Sequence, residues 1–184
     1  TSFSPSVVMA KKNKFLIADP KKPTVLSSST YALHFDAGLV AKYLTQYCID
    51  KKVIHTKAHV KDVKLSENGL IDSLTLEDGR QVEGDFFIDC SGQKALLINK
   101  ALRVGLDNWQ KYLPVDSAVV VQTEKLADLP PYTQSIAHEH GWRWQIPLQN
   151  RTGNGYVYCS DYCDDETAKK LLLDNIVGDK LTEP

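Results

Sequence analysis

The sequence contains no apolar run long enough to span a membrane, and neither sign of charge is in large excess. Its 184 residues are 42% hydrophobic and 24% charged, and the formal net charge is −1, which is ordinary for a soluble globular protein. Without a basic excess, neither nucleic acid nor an anionic membrane surface is an expected partner. The chain begins without Met or a signal-peptide pattern, and neither end resembles a natural terminus. We therefore expect a cytoplasmic segment of a longer protein.

The sequence also lacks a disulfide framework and a metal-binding pattern. The C-x3-C spacing of Cys159 and Cys163 matches neither the redox C-x-x-C motif nor half of a usual zinc site. His138-Glu139-His140 has no third ligand nearby, so we interpret it as part of a surface turn. The acidic cluster at 161–166 lacks the spacing and glycine of an EF-hand, which favours helix capping over calcium binding. Reduced thiols and no metal are expected.

Three helices are predicted from their end signals. Ser4-Pro5 is typical of a helix start. Asp36 is placed to cap a helix that runs to about residue 50, with Phe35 and Val40 placed to form a hydrophobic staple. Asp164 begins a third helix, whose acidic first turn suits the positive end of the helix dipole. The apolar residues predicted to face a core are Leu39, Val40, Tyr43, Leu44, Tyr47 and Cys48 in the second helix and Ala168, Leu171, Leu172 and Ile176 in the third.

Between these helices the pattern changes to that of strands. A short strand is predicted at Val53–His55 and a longer one at Lys57–Leu65, with a bulge around Asp62. Asn68-Gly69 and Asp78-Gly79 predict type I′ turns, which need positive φ at both central residues. An antiparallel meander over 57–84 follows from these signals.

Residues 85–92, "DFFIDCSG", are apolar on both faces and predict a strand buried between layers of a larger sheet. A helical fragment is predicted at 95–102, before a second antiparallel sheet. No G-x-G-x-x-G loop for a nucleotide phosphate is present. The strands predicted for the second sheet lie near Ala118–Gln122, from Tyr132 to His138, over "WRWQI" and, after a turn at "QNRTGNG", over "YVYCS".

Several stretches together resemble the flavin-dependent tryptophan halogenases. The W-x-W-x-I-P motif within "GWRWQIP" is the specific marker, whereas "FIDCSG" alone would indicate only an FAD-binding oxidoreductase of the aromatic-hydroxylase and glutathione-reductase superfold. The resemblance runs in order over about residues 31–168. The stretches that carry it are "YALHFDAGLVAKYL", "GLIDSLTLEDGRQVEGDFFIDCSG", "LLINKAL", "PYTQSIA", "GWRWQIPLQNRTGNGYVY" and "DDETA".

The resemblance implies an α/β fold that combines part of an FAD/NAD(P)-binding Rossmann-like domain with an antiparallel substrate-domain sheet. Residues 1–110 are expected to belong to the FAD-binding domain, including the β-meander 57–84 and the strand 85–92. Residues 111–184 are expected to belong to the substrate domain, with its C-terminal helix.

The implied function is halogenation of tryptophan or a related indole, using FAD reduced by a separate flavin reductase, oxygen and a halide. In the family, the phosphate loop and the catalytic lysine precede the matched region, and a glutamate-bearing segment follows it. No catalytic residue is therefore expected in these 184 residues, which alone should be inactive. The resemblance leaves a homodimer open, and it leaves the substrate, the halide and the ring position open too.

FAD contacts are expected at Val60, through its main chain, and at Ser91 and Gly92, where a strand end approaches the flavin nucleotide. Ala58 is the alternative to Val60. A core valine and an ordinary glycine turn would explain the same residues without a cofactor. Gln93-Lys94 stand where the family usually carries an apolar residue and arginine, which puts the substrate in question because Lys94 cannot replace a bidentate guanidinium contact.

The "GWRWQIP" segment is expected to form an active-site wall or tunnel from Trp142, Trp144, Ile146 and Pro147. Alternation places the first three on one strand face, which we expect to be buried. The resemblance implies that their bulk separates substrate from flavin and so favours halogenation over hydroxylation. Core packing alone would explain the same pattern. Two alternative functions stay open: an FAD-dependent monooxygenase of the same superfold, and a non-catalytic remnant binding module.

Overall fold

The computed structural model describes residues 4–27 and 29–184. No helix within these ranges is long and apolar enough to cross a membrane. A 3₁₀ turn at Gly92–Lys94 leads into a short π-helix at Leu96–Ala101. The other elements are α1 (Pro5–Lys11), α2 (Ala37–Asp50), β1 (Val60–Leu65), β2 (Ile71–Leu76), β3 (Gln81–Glu83), β4 (Ser117–Thr123), β5 (Gln134–His138), β6 (Gly141–Pro147), β7 (Thr152–Tyr158) and α3 (Asp165–Leu173).

The chain divides into two compact units. The meander unit comprises Tyr43–Trp109, and the sheet unit comprises the described residues up to Lys42 together with Gln110–Pro184. The division after Trp109 lies beside the predicted domain boundary, but the residues before Tyr43 belong with the sheet unit. The assignment of these units to an FAD-binding and a substrate domain stays a prediction.

The meander unit is built on the antiparallel sheet β1-β2-β3. Its register shifts between Val60 and Asp62, which confirms the predicted bulge, although β1 begins at Val60 and not at Lys57. Leu76 is buried, and Leu74 lies two residues away on the same face and is half-buried. The meander predicted from the two glycine turns is therefore present.

Both hairpin turns differ from the predicted type I′ geometry. Gly69 and Gly79 have φ of 81° and 85°, whereas neither Asn68 nor Asp78 has positive φ. The Gly69 amide donates to the Ser66 carbonyl, and the Gly79 amide donates to the Leu76 carbonyl. This is a type I turn followed by a left-handed glycine. The prediction was wrong because each loop is one residue longer than a type I′ turn, so only the glycine needs positive φ.

Two predicted strands are absent from the described residues. The segments 53–55 and 85–92 contain no β-strand, and Ile54, Phe86 and Ile88 are 90%, 83% and 76% exposed. The second segment was predicted to lie between neighbouring strands. No strand in the described ranges pairs with it, so Phe86 and Ile88 are exposed, while Phe87 is half-buried.

The predicted helices begin near the expected residues, but the apolar face of α2 is not buried as predicted. Pro5 begins α1, although the Ser4 side chain makes no capping hydrogen bond. Helix α2 begins after Asp36 as expected, but it buries no residue, and Tyr43 is 69% exposed. Its apolar residues do recur at helical spacing, but no hydrophobic core packs against them among the described residues. The segment predicted as a helical fragment at 95–102 forms the π-helix.

The sheet unit is built on an antiparallel sheet of order β4-β7-β6-β5. Helix α3 packs on β4 and β7. Asp164 caps this helix by accepting a 2.7 Å hydrogen bond from the Thr167 amide, and Ala168 and Leu172 are fully buried, as predicted. The core cluster contains Val121, Tyr156, Tyr158, Cys163, Ala168 and Leu172, with Val119, Leu171 and Ile176 packed against it.

The sheet has an inner face toward α3 and an outer face on the opposite side. Paired residues in antiparallel strands point to the same side, and the register assigns each strand residue to one face. The inner face comprises Ser117, Val119, Val121, Thr123, Gln134, Ile136, His138, Gly141, Arg143, Gln145, Pro147, Thr152, Asn154, Tyr156 and Tyr158. The outer face comprises Ala118, Val120, Gln122, Ser135, Ala137, Trp142, Trp144, Ile146, Gly153, Gly155 and Val157.

The face that carries the tryptophans is therefore not the buried one. Gln145 and Pro147 are buried, whereas Trp142 is 38% exposed and Trp144 is half-buried. The burial expected for this face was wrong because α3 packs on the other side of the sheet. Pro147 also does not share a surface with the two tryptophans, since it lies on the inner face.

The turn between β6 and β7 is shorter than predicted. The segment "TGNG" was assigned to a Gly/Asn-rich turn, but Thr152–Gly155 are the first residues of β7. Cross-strand pairing overrides the low strand preference of glycine and asparagine here. The mixed helix-and-sheet fold with antiparallel sheets, expected from the sequence, is otherwise confirmed.

Candidate functional site

The outer face of the sheet carries an aromatic surface with a glycine beneath it. The Trp142 and Trp144 rings lie 5.9 Å apart and are tilted by 53°. Trp144 pairs with Gly155 of β7, and a Cβ atom added at Gly155 would overlap the Trp144 indole. The indole therefore packs directly against the main chain of the central strand. Val120, on the same face, is 55% exposed, so this surface is apolar and accessible.

His34 fixes the end of the strand that carries these tryptophans. Its Nδ1 lies 3.0 Å from the Pro147 carbonyl oxygen, and its Nε2 lies 3.1 Å from Thr133 Oγ1. Because a carbonyl only accepts, Nδ1–H is the donor to Pro147. Both ring nitrogens are thus engaged in contacts that hold the structure together.

Asp36 joins the start of α2 to the β6–β7 turn. Its Oδ1 accepts from the amides of Gly38 and Leu39 at 3.0 and 3.2 Å. Its Oδ2 accepts from Asn150 Nδ2 at 3.2 Å and from Arg151 Nε at 3.1 Å. The Asn150 hydrogen bond, followed by the Leu39 amide, lowers the pKa of Asp36. A single carboxylate therefore caps the helix and orders the turn that follows the Trp-bearing strand.

In the meander unit, Asp89 organises the loop in which cofactor contacts were expected. Its Oδ1 accepts from the Ser91 amide and hydroxyl at 3.0 and 2.6 Å. Its Oδ2 accepts from the amides of Leu97 and Ile98 at 2.9 and 3.1 Å. The Ser91 hydroxyl also accepts from the Leu96 amide at 2.8 Å. The Asp89 carboxylate and the Ser91 hydroxyl thus satisfy the free amides at the start of the π-helix.

These hydrogen bonds predict an acid-dependent stability. The hydroxyl of Ser91, then its amide, hold the pKa of Asp89 far below its usual value of 3.8. A depressed folded-state pKa contributes stability above the unfolded pKa, and this contribution disappears as the pH falls toward the folded value. Asp89→Asn should be less stable than the parent at pH 7, and the difference should shrink below about pH 4.

Denaturant unfolding between pH 7 and pH 3 measures this difference. Asp107→Asn, at an exposed carboxylate in the same unit, is the matched control and should follow the parent at every pH. A difference for Asp89→Asn that stays constant down to pH 3 would contradict the assigned hydrogen bonds.

Gly92 is the residue of this loop that remains free to approach a ligand. It has a φ of 64°, and nothing lies within 4 Å of the position that a Cβ would occupy. The left-handed conformation favours glycine, and the space beside it is open. The Ser91 side chain, by contrast, is engaged within the loop.

Val60 lines a separate cavity of about 400 Å³ between β1 and the π-helix. Val60, Lys61 and Asp62 form its β1 side, and Lys100 and Arg103 bring positive charge to it. Its volume falls in the range of small-molecule sites. Ser91 and Gly92 do not line this cavity, so the structure does not bring the three predicted cofactor contacts into one pocket.

Two residues of the sheet unit were missed from the sequence. Gly155 had been assigned to a turn, although its two-residue spacing from Gly153 could have indicated one glycine-lined strand face. Arg143 carries no sequence signal of its own, because a lone arginine in a strand is ordinarily a solvent-facing residue. Of the residues that the structure describes, no group of three or more His, Cys, Asp or Glu could hold a metal ion.

Comparison with known proteins gives a consistent set of relatives. The family model for tryptophan halogenase matches residues 1–184. Tryptophan 6-halogenase SttH of Streptomyces toxytricini is 42% identical over 145 residues, 77% of this chain and 28% of SttH. Tryptophan 7-halogenase RebH of Lentzea aerocolonigenes is 38% identical over 160 residues, 85% of this chain and 30% of RebH.

A solved structure extends the similarity over the whole chain. BrvH, a flavin-dependent halogenase from Brevundimonas sp. BAL3, is 41% identical with a TM-score of 0.92, covering 100% of this chain and 38% of BrvH. The chain spans less than a third of the length of SttH and of RebH. Because the family model matches it from end to end, the chain belongs to the tryptophan halogenase family.

Proposed function

We propose that this chain is the central segment of an FAD-dependent halogenase that uses reduced flavin, oxygen and halide to halogenate tryptophan or a related indole. The observation that carries the proposal is the Trp142–Trp144 pair, which lies on the accessible face of the sheet and not in its core. Relatives named as tryptophan 6- and 7-halogenases and as a flavin-dependent halogenase support it. Activity would belong to the complete enzyme, of which this chain supplies a part.

In this proposal, the outer face is a wall of the active-site tunnel. FAD, when bound, supplies the oxygen chemistry that oxidises the halide. Trp142, Trp144 and Ile146 exclude the bulky indole substrate from the flavin while leaving passage for a small halogen species. Rings fixed against a glycine-lined strand suit this role because they cannot collapse into the sheet.

The meander unit would contribute contacts to FAD. The main chain of Val60 borders a cavity of suitable size for an adenine ring, and Gly92 offers an open main-chain approach. The Ser91 side chain is committed to Asp89 and to Leu96, so Ser91 would contribute only through its main chain. These are partial contacts, and the phosphate-binding loop motif is absent from the sequence.

The 184-residue chain should therefore bind FAD weakly or not at all. Helix N-termini with glycine-rich loops supply most of the contacts to a dinucleotide pyrophosphate, and none of that type is in this sequence. Titration of FAD against the isolated chain, followed by flavin fluorescence, measures the affinity. Stoichiometric binding at micromolar FAD would overturn this expectation, whereas the complete enzyme should retain a yellow flavin.

The test of the function is product formation by the complete enzyme. The assay contains FAD, a flavin reductase, NADH, oxygen, tryptophan or other indoles, and chloride or bromide. Halogenated indole should form, and omitting the reductase should abolish it unless chemically reduced FAD is added. Peroxide release without any halogenated product from these substrates would contradict the proposal.

Variants of the Trp pair test the wall directly. Trp144→Ala should lower halogenated product per NADH consumed by about tenfold or more, since a 1 Å misplacement of reacting groups can cost about a hundredfold. Trp109→Ala removes an indole that is 65% exposed in the other unit and is the matched control. Equal losses in both variants, or none in Trp144→Ala, would contradict the role of the outer face.

A separate flavin reductase as electron source and a cytoplasmic location complete the proposal. All four cysteines are free, as expected in a reducing compartment.

A further inference from the structure

The inner face of the sheet holds a cationic side chain without a partner. Arg143 projects between the two tryptophans but on the opposite side of β6. Its Nε and Nη1 atoms are buried and make no hydrogen bond. Guanidinium nitrogens are donors only, and leaving a buried charged donor unpaired is costly. Two such donors on one side chain indicate that a ligand belongs there.

The neighbouring positions on the same face add two more buried polar atoms. Tyr156 pairs with Arg143 across β6 and β7, and its buried hydroxyl has the His140 backbone beside it but no acceptor for its proton. The side chain of Tyr156 is fully buried. The His138 ring lies 5.5 Å from the Tyr156 ring in an edge-on arrangement, and its Nε2 is likewise buried and unpartnered. The Arg143 guanidinium and two further polar side chains therefore lie on one face, on the neighbouring strands β5, β6 and β7.

No described residue neutralises this group. None of the ion pairs in the described ranges involves Arg143, so no carboxylate there lies within 4.0 Å of its guanidinium. Helix α3, which brings the acidic residues Asp164, Asp165 and Glu166 to the sheet unit, packs mainly on β4 and β7. The β5–β6 half of the inner face thus carries the Arg143 charge. The Glu139 carboxylate in the β5–β6 turn acts on Tyr156, but its side chain is 87% exposed and forms no ion pair with Arg143.

We propose that Arg143, Tyr156 and His138 form a recess that binds one carboxylate. One guanidinium charge is balanced by one carboxylate charge, whereas a phosphate dianion would leave excess negative charge in a buried place. Two carboxylate oxygens can engage the separate Nε–H and Nη1–H donors and still accept from the Tyr156 hydroxyl, whereas a halide offers a single atom. The carboxylate comes either from an Asp or Glu elsewhere in the complete enzyme or from a free organic acid. The recess lies on the face opposite the tryptophans, so its test is independent of halogenation.

The test compares thermal unfolding of the complete enzyme with that of its Arg143→Met variant, in low-salt buffer and with increasing sodium acetate. A carboxylate from the protein should make Arg143→Met unfold about 5 °C or more below the parent, with no response of the parent to acetate beyond that of the variant. A free carboxylate should raise the parent midpoint with acetate concentration while the variant stays unchanged. Either result supports the recess and identifies its source.

If no carboxylate binds in the recess, Arg143→Met should not lower the unfolding midpoint. Methionine would then relieve an unpaired buried charge, and Arg143→Met would be as stable as the parent or more stable in every buffer. That result would overturn the proposal. Arg80→Met, at an exposed arginine on a surface turn, is the control for loss of a positive charge and should shift the midpoint by less than about 1 °C.

A more conservative substitution tests the recess if Arg143→Met does not fold. Tyr156→Phe removes only the hydroxyl, whose proton has no acceptor among the described residues. With a bound carboxylate it should lower the unfolding midpoint or weaken the acetate response. A midpoint equal to or above that of the parent, with an unchanged acetate response, would remove Tyr156 from the recess and contradict the proposed site.

Discussion

Gly155→Ala is expected to lower the free energy of unfolding by about 3 kcal/mol, the upper part of the range for forcing an extra carbon into a packed site. The new Cβ would overlap several atoms of the Trp144 indole. An indole is rigid and cannot yield at one end as a flexible chain could. Either Trp144 leaves its rotamer or β6 and β7 separate, and both alter the outer face. Urea unfolding of the parent and the variant measures the loss.

The same strand offers a control for this prediction. A Cβ at Gly153 would meet its nearest neighbour, an Arg151 nitrogen, at 3.8 Å, which is ordinary contact. Gly153→Ala should therefore change stability by less than about 1 kcal/mol. In a Trp144→Ala background the obstacle is gone, and Gly155→Ala should then cost as little as Gly153→Ala. Equal costs for Gly155→Ala in both backgrounds would contradict the packing described for Trp144.

Leu172→Ala is expected to lower the free energy of unfolding by about 2–5 kcal/mol. Leu172 has no exposed surface and belongs to the cluster through which α3 covers the sheet. Removing its side chain leaves a cavity beside Tyr156 and Val121, which the sheet cannot close because its strands are held in register. The measurement is again denaturant unfolding, followed by circular dichroism.

The matched control makes the same chemical deletion at an exposed leucine. Leu181 is 52% exposed, and Leu181→Ala should cost less than about 1 kcal/mol. A loss for Leu172→Ala no larger than for Leu181→Ala would mean that α3 does not close the core as described.

Local signals in the sequence determined much of the secondary structure. Asp36 and Asp164 were predicted as helix caps, and both accept the expected amide hydrogen bonds. Gly69 and Gly79 located the two hairpin turns, because each turn needs a residue with positive φ and glycine adopts that conformation most easily. The apolar spacing of α3 likewise identified its buried face. These features depend on residues close together in the chain, so they can be predicted from the sequence.

The candidate site was predicted less completely, because it depends on contacts between distant strands. The sequence located the Trp142–Trp144 strand and the position of Val60, and the family resemblance supplied their meaning. It could not show that Ser91 is committed to Asp89, or that Gly155 receives the Trp144 ring. Residues 85–92 were predicted to be buried from their apolar composition. Composition shows only that burial would be favourable, and no strand among the described residues covers Phe86 and Ile88.

By itself, the sequence determined the antiparallel strands, the helix ends and the membership of the tryptophan halogenase family. Alternation along "GWRWQIP" also determined that Trp142, Trp144 and Ile146 share one side of β6. Only the tertiary structure decided which side faces the core, because that depends on where α3 packs. By covering the face opposite the tryptophans, α3 leaves the aromatic surface accessible. Alternation along β6 puts Arg143 on the inner face, where it has no carboxylate partner among the described residues.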